Sequence, residues 1–96
     1  MNAIESLGQL GREIKLGRNS TAWYCSVDGL CWIDGACEIG SACEIGSAGH
    51  GHSPEAAAHD LLMKIAKPAR GAPSLRSRDA DGHVAYQPIL LMKVQP

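Results

Sequence analysis

TAWYCSVDGLCWID, residues 21–34, is the stretch on which the fold turns. Ala22 to Val27 and Leu30 to Asp34 are both rich in the aromatic and branched side chains that favour strands. Between them lies Asp28-Gly29, the dipeptide preferred in a two-residue type I′ hairpin because both positions need positive φ. The expected register sets Val27 against Leu30 and Cys25 against Trp32. Trp23, Cys25, Val27, Leu30 and Trp32 then share one face, and Tyr24, Ser26, Cys31 and Ile33 share the other. The first set is the more apolar and is the expected core face.

Upstream, Glu13 to Gly17 alternates, with Ile14 and Leu16 on one side, and predicts a first strand at about 13–17. Gly17-Arg18-Asn19-Ser20 supplies the turn chemistry after it. Asn2 followed by Glu5 resembles a capping box, so a short helix is expected over 3–10, weakened by Gly8.

Downstream, Asp34-Gly35 is a second turn signal, followed by Gly-, Ala- and Ser-rich sequence to His52. A third strand is expected around Cys37 to Ile39, then loop. Ala36 to Ser41 reads ACEIGS and Ala42 to Ser47 repeats it, so cysteine recurs at Cys25, Cys31, Cys37 and Cys43. Ser53 is a natural N-cap, with Pro54 at the first helical position and Glu55 where the helix dipole favours an acid. Ala57, Ala58, Leu61, Leu62 and Ile65 follow at helical spacing, and Pro68 stops the run, which predicts a helix over 54–66. Residues 67–82, KPARGAPSLRSRDADG, are expected to form an exposed basic loop. His83 to Val94 closes the chain as a strand over 83–94, in which Pro88 requires an edge or a bulge. The expected architecture is a single α+β domain over 1–96. In it, a small antiparallel sheet, built from a hairpin and the C-terminal strand, packs against one main helix.

Bulk composition narrows the function. With 96 residues there is room for one core. Phe is absent and aromatics total 4%, so the core rests on aliphatic residues and a few large rings, suggesting modest stability or self-association. A net charge of −1 disfavours non-specific nucleic-acid binding, whose affinity comes from neutralising phosphates. The N-terminus lacks a basic and then apolar signal pattern, and no apolar run approaches a membrane span. A cytoplasmic location with reduced thiols is therefore expected.

The cysteines and histidines invite a zinc site. Zinc takes close ligand pairs such as C-x2-4-C and H-x3-5-H. Here the cysteines lie six residues apart and His50-x-His52 is too tight, so no metal and no cofactor are expected. No nucleophile and base are fixed next to one another, so the chain is expected to be non-catalytic.

Several families share parts of the pattern. Read from Val27, the chain runs VDGLCW, IDGACE, IGSACE, IGSAGH, which resembles the hexapeptide repeat of left-handed β-helix acyltransferases. That likeness implies a solenoid, but it spans little more than one coil, and an in-frame duplication lengthening a surface loop explains the copy more simply. GHGHSPEAAAHDLLMKI is similar to the last strand–helix junction of double-stranded-RNA-binding domains, with Gly49, Gly51, Ser53 and Ala57 in place. Pro54 and Glu55 stand where that family carries a lysine pair. The order Trp23 to Val27, Asp28-Gly29, Ser53-Pro54-Glu55-Ala56, Val84 to Val94 resembles HicB-type antitoxins and small HicB-like phage proteins. It also loosely resembles phage anti-CRISPR inhibitors.

The resemblance implies a protein–protein binding module of phage or mobile-element character, inhibiting a host defence complex such as a CRISPR surveillance protein. A HicB-like antitoxin that meets a toxin, or an RNA-associated module, is the alternative. Between Lys64 and Arg78 there are basic residues and no acid, so Lys67, Arg70, Arg76 and Arg78 are the expected partner-binding residues. A solvated charged loop is the competing reading of the same residues.

Overall fold

A computed structural model describes residues 2–34, 43–45, 48–68 and 71–89. Helix α1 (Ala3–Gly8) leads into β1 (Ile14–Arg18), β2 (Trp23–Val27) and β3 (Leu30–Asp34). The short strands β4 (Cys43–Ile45) and β5 (Gly49–Gly51) precede α2 (Pro54–Ala66), and β6 (Ala72–Arg78) and β7 (Val84–Pro88) follow it. The class is α+β with antiparallel pairing around one main helix, as expected. The described strands form two sheets, in the orders β1-β2-β5 and β4-β3-β6-β7.

The local helix signals work as written. Asn2 Oδ1 accepts from the Glu5 N–H at 2.8 Å, and Ser53 Oγ accepts from the Ala56 N–H at 3.1 Å. Helix α2 covers the expected residues, and its stripe of Ala57, Ala58, Leu61, Leu62 and Ile65 is wholly buried. Glu55 does more than complement the dipole: its Oε1 accepts from the Ala3 N–H at 2.7 Å and ties α1 to α2. The β1–β2 turn is closed by Asn19, whose Oδ1 accepts from the N–H groups of Thr21 at 3.0 Å and Ala22 at 2.8 Å.

The hairpin at Asp28-Gly29 is a correction. Gly29 does take the positive φ of a turn, +75°. Yet β2 and β3 do not pair with each other. Cys25 faces Leu16 and Gly49, while Trp32 faces Ile45 and Pro73. The Asp28 N–H still donates to the Glu13 carbonyl in one sheet at 2.9 Å, and the Gly29 carbonyl accepts from the Arg76 N–H in the other at 2.8 Å. The chain changes sheets between two adjacent residues. The physical gain is enclosure: Cys25 and Val27 reach the core from one sheet and Leu30, Trp32 and Leu75 from the other, in one cluster with the α2 stripe. The expected core face is thus the right one, although Cys31, on the opposite face, is also buried.

Two further segments differ. The polar run expected as a loop over 67–82 contains β6, held between β3 and β7. Its first half is buried and its charged half extends beyond the end of β3, so the polar composition reflects a half-exposed strand. Gly49–Gly51, expected as loop, is a strand because its two glycines press directly on α2. A Cβ on Gly51 would lie 2.6 Å from Ala56 Cβ and 2.8 Å from the Ala57 nitrogen. The closing strand begins at Val84, one residue after the expected start, and Pro88 lies on an edge strand among the described residues, but positions beyond Ile89 lie outside them. The strand expected at Cys37 to Ile39 also lies outside the described residues. Strand β4 falls on the second copy of the hexapeptide, and its Cys43 pairs with Asp34.

Deleting one ACEIGS copy should leave this pairing available. The cysteine of the surviving copy would follow Asp34 after one glycine and one alanine, a two-residue spacing with glycine first that suits a type II′ hairpin. The expected result is an unchanged circular dichroism spectrum and a melting temperature within a few degrees of the parent. Collapse of the fold would instead favour the solenoid.

Candidate functional site

Strand β6 outruns β3. Beyond Leu30, paired with Leu75, the Gly29 carbonyl still accepts from the Arg76 N–H, and the chain then turns away through Asp28 into the other sheet, so that no described strand runs beside Ser77 and Arg78 on that side. Arg12, just ahead of β1, fills the gap. Its Nη1 donates to the Arg76 carbonyl at 2.8 Å and its Nη2 to Ser77 Oγ at 2.8 Å. The guanidinium lies across Gly29, where a Cβ would meet Arg12 Nη1 at 2.7 Å and the Arg76 carbonyl oxygen at 2.9 Å. Arg12, Asp28, Gly29, Arg76, Ser77 and Arg78 together line an open groove of about 420 Å³ at the junction of the two sheets.

Arg76 and Arg78 alternate onto the outer face of β6. Directly across from them on β7 are Tyr86 and Val84, which are 37% and 40% exposed. A face carrying two arginines, a tyrosine and a valine results. Of the four residues expected to bind a partner, Arg76 and Arg78 are brought together there. Lys67 is exposed at the end of α2 and does not line the groove. Arg70 lies outside the described residues. Arg12 and Asp28 escaped the sequence reading because Arg12 meets β6 across 64 residues of chain, and no local pattern signals such a contact.

Cys25 and Cys31 are buried, in different sheets. Burial pushes the Cys25 thiol up and keeps it protonated, which suits a packing group rather than a nucleophile. Cys31 Sγ donates to the Ser74 carbonyl at 3.8 Å. In the β6–β7 turn, Asp79, Asp81 and His83 present ligand atoms within 4.8 Å of one another, all exposed. Their arrangement follows from turn closure: Asp79 Oδ1 accepts from the N–H groups of Asp81 and His83, each at 2.9 Å.

A polar network seats β5 on α2. Asp60 Oδ2 accepts from the His50 N–H at 2.9 Å and pairs with Lys64 Nζ at 3.2 Å, while Lys64 Nζ also donates to the Ala48 carbonyl at 2.8 Å. Partial burial pushes the Asp60 carboxyl up, but the His50 and Lys64 hydrogen bonds and charges outweigh it and hold the group below its ordinary value. A carboxyl held low in the folded state stabilises at neutral pH, and that contribution is lost as pH falls through its folded value. The parent should therefore melt above Asp60→Asn at pH 7, and the gap should shrink as the pH falls through and below the ordinary aspartate range. A gap independent of pH would assign the effect to geometry alone.

Comparison with protein families, curated proteins and solved structures finds no match to this chain. Among the described residues no helix is long and apolar enough to cross a membrane.

Proposed function

We propose that the chain is a non-catalytic binding module that docks an acidic protein surface through Arg76, Arg78, Tyr86 and Val84. The observation that carries this reading is the pairing across β6 and β7, which sets two arginines beside two exposed apolar side chains on one face. Protein interfaces are enriched in arginine and aromatic residues, which combine contact area with directional charge. The specific form of the proposal is an inhibitor of a host defence complex, anti-CRISPR in kind and of phage or mobile-element origin, acting in the bacterial cytoplasm.

The test is co-purification from a host lysate containing an active CRISPR surveillance complex, using the tagged chain and its Arg76→Glu/Arg78→Glu variant. A surveillance subunit should accompany the parent and fall by about tenfold or more with the variant, because like charges at an interface cost several kcal/mol. The variant's circular dichroism spectrum should match the parent's. Capture unaffected by charge reversal would reject this face. Retention of RNA by the purified chain, with no protein partner, would favour an RNA-associated antitoxin instead.

A further inference from the structure

We infer that the groove between Arg12, Gly29 and Arg78 is a carboxylate-binding subsite for an Asp- or Glu-rich segment of a partner protein. Among the described residues Arg12, Arg76 and Arg78 line it against Asp28, so its lining is more basic than acidic in a chain whose net charge is −1. Local charge runs against the whole, and that concentrates attraction for an anion at this junction.

Arg12 is the centre of the subsite. Hydrogen bonds to the Arg76 carbonyl and to Ser77 Oγ anchor both of its terminal nitrogens. Each of those nitrogens carries a second N–H, and Nε carries another. A guanidinium already fixed in place loses less conformational entropy when it forms a forked pair with a carboxylate. Gly29 makes the placement workable, because any side chain there would strike Arg12 and the Arg76 carbonyl. The groove, at about 420 Å³, is of ligand-binding size and has room for acidic side chains rather than a single ion.

Asp28 selects among anions. Asp28 lines the groove as an acceptor, and a phosphodiester backbone has no hydrogen-bond donor to offer it. It welcomes a polypeptide, which brings backbone N–H donors together with its acidic side chains. The mixed lining therefore fits an acidic peptide better than a chain of phosphates.

The subsite rests on the proposed protein-docking function, and the two can fail separately. The experiment is an amide NMR titration of the full chain with hexaglutamate, and in parallel with single-stranded hexathymidylate. Hexaglutamate should shift the amides of Asp28, Gly29 and Ser77 and the Arg12 side chain. Its affinity should fall by about three- to fivefold in Arg12→Gln and in Arg78→Gln, and further with salt. Arg78 is exposed on β6, so Arg78→Gln keeps the test valid if Arg12→Gln fails to fold. Three results would overturn the subsite: no shifts at millimolar hexaglutamate, equal affinity in both variants, or tighter binding of hexathymidylate. If hexaglutamate ignores the groove while charge reversal at Arg76 and Arg78 still abolishes partner capture, the docking face stands and the subsite falls. Hexaglutamate binding in the groove, with capture indifferent to charge reversal, would reject the docking face instead.

Discussion

Leu61→Ala should lower the folding stability by about 2–5 kcal/mol, the range for truncating a buried leucine. Leu61 is 0% exposed and sits in the middle of the α2 stripe, in one cluster with residues from both sheets. Alanine removes the branched end of the side chain and leaves a cavity. Its walls are strands fixed by their own ladders and close only in part. For a domain of this size the whole stability is about 5–15 kcal/mol, so the loss is a large share of it. The melting temperature should drop by more than about 10 °C. Chemical denaturation at constant slope would measure it, and an unchanged curve would take α2 out of the core.

Gly49→Ala should be comparably damaging for the opposite reason, since it adds an atom where there is no space. A Cβ on Gly49 would fall on the Ala57 carbonyl oxygen and lie 2.6 Å from the Leu61 nitrogen. These are backbone atoms of a hydrogen-bonded helix and cannot rotate aside. Strand β5 would have to lift from α2, straining the Asp60, His50 and Lys64 contacts that seat it. The expected cost is about 3 kcal/mol, at the upper end of the overpacking range. Gly8→Ala is the control, because nothing lies within 4 Å of a Cβ there. Equal melting of the Gly49 and Gly8 variants would show that β5 does not rest on the helix backbone.

Both predictions concern the same contact, seen from the helix and from the strand, and only one side of it was legible in the sequence. Leu61 announces itself by its spacing from Ala57, Ala58 and Ile65. Gly49 and Gly51 read as loop because glycine is the least informative residue about its neighbours. The signal that was available is the conjunction of G-x-G with an alanine-rich helix start, small residues on both sides of a close approach. The site shows the same division. Arg76 and Arg78 stood out as charges, but in a polar run that reads as loop. Leu75, the buried residue that anchors the run as a strand, is a lone apolar position from which no period can be read.

By itself the sequence determined what depends on near neighbours. These are the ends of α2, from Ser53, Pro54 and Pro68, and its buried stripe, and also the Asn19 turn, the positive φ at Gly29 and the core face from Cys25 to Trp32. Backbone sterics, capping and side-chain alternation act within a few residues and are written locally. Only the tertiary structure decided which strands pair. Asp28-Gly29 suits a hairpin turn and a crossing between sheets equally well. The choice falls to burial, because separating β2 from β3 lets both press their apolar side chains against α2. That same separation opens the gap that Arg12 fills across 64 residues, and so creates the groove.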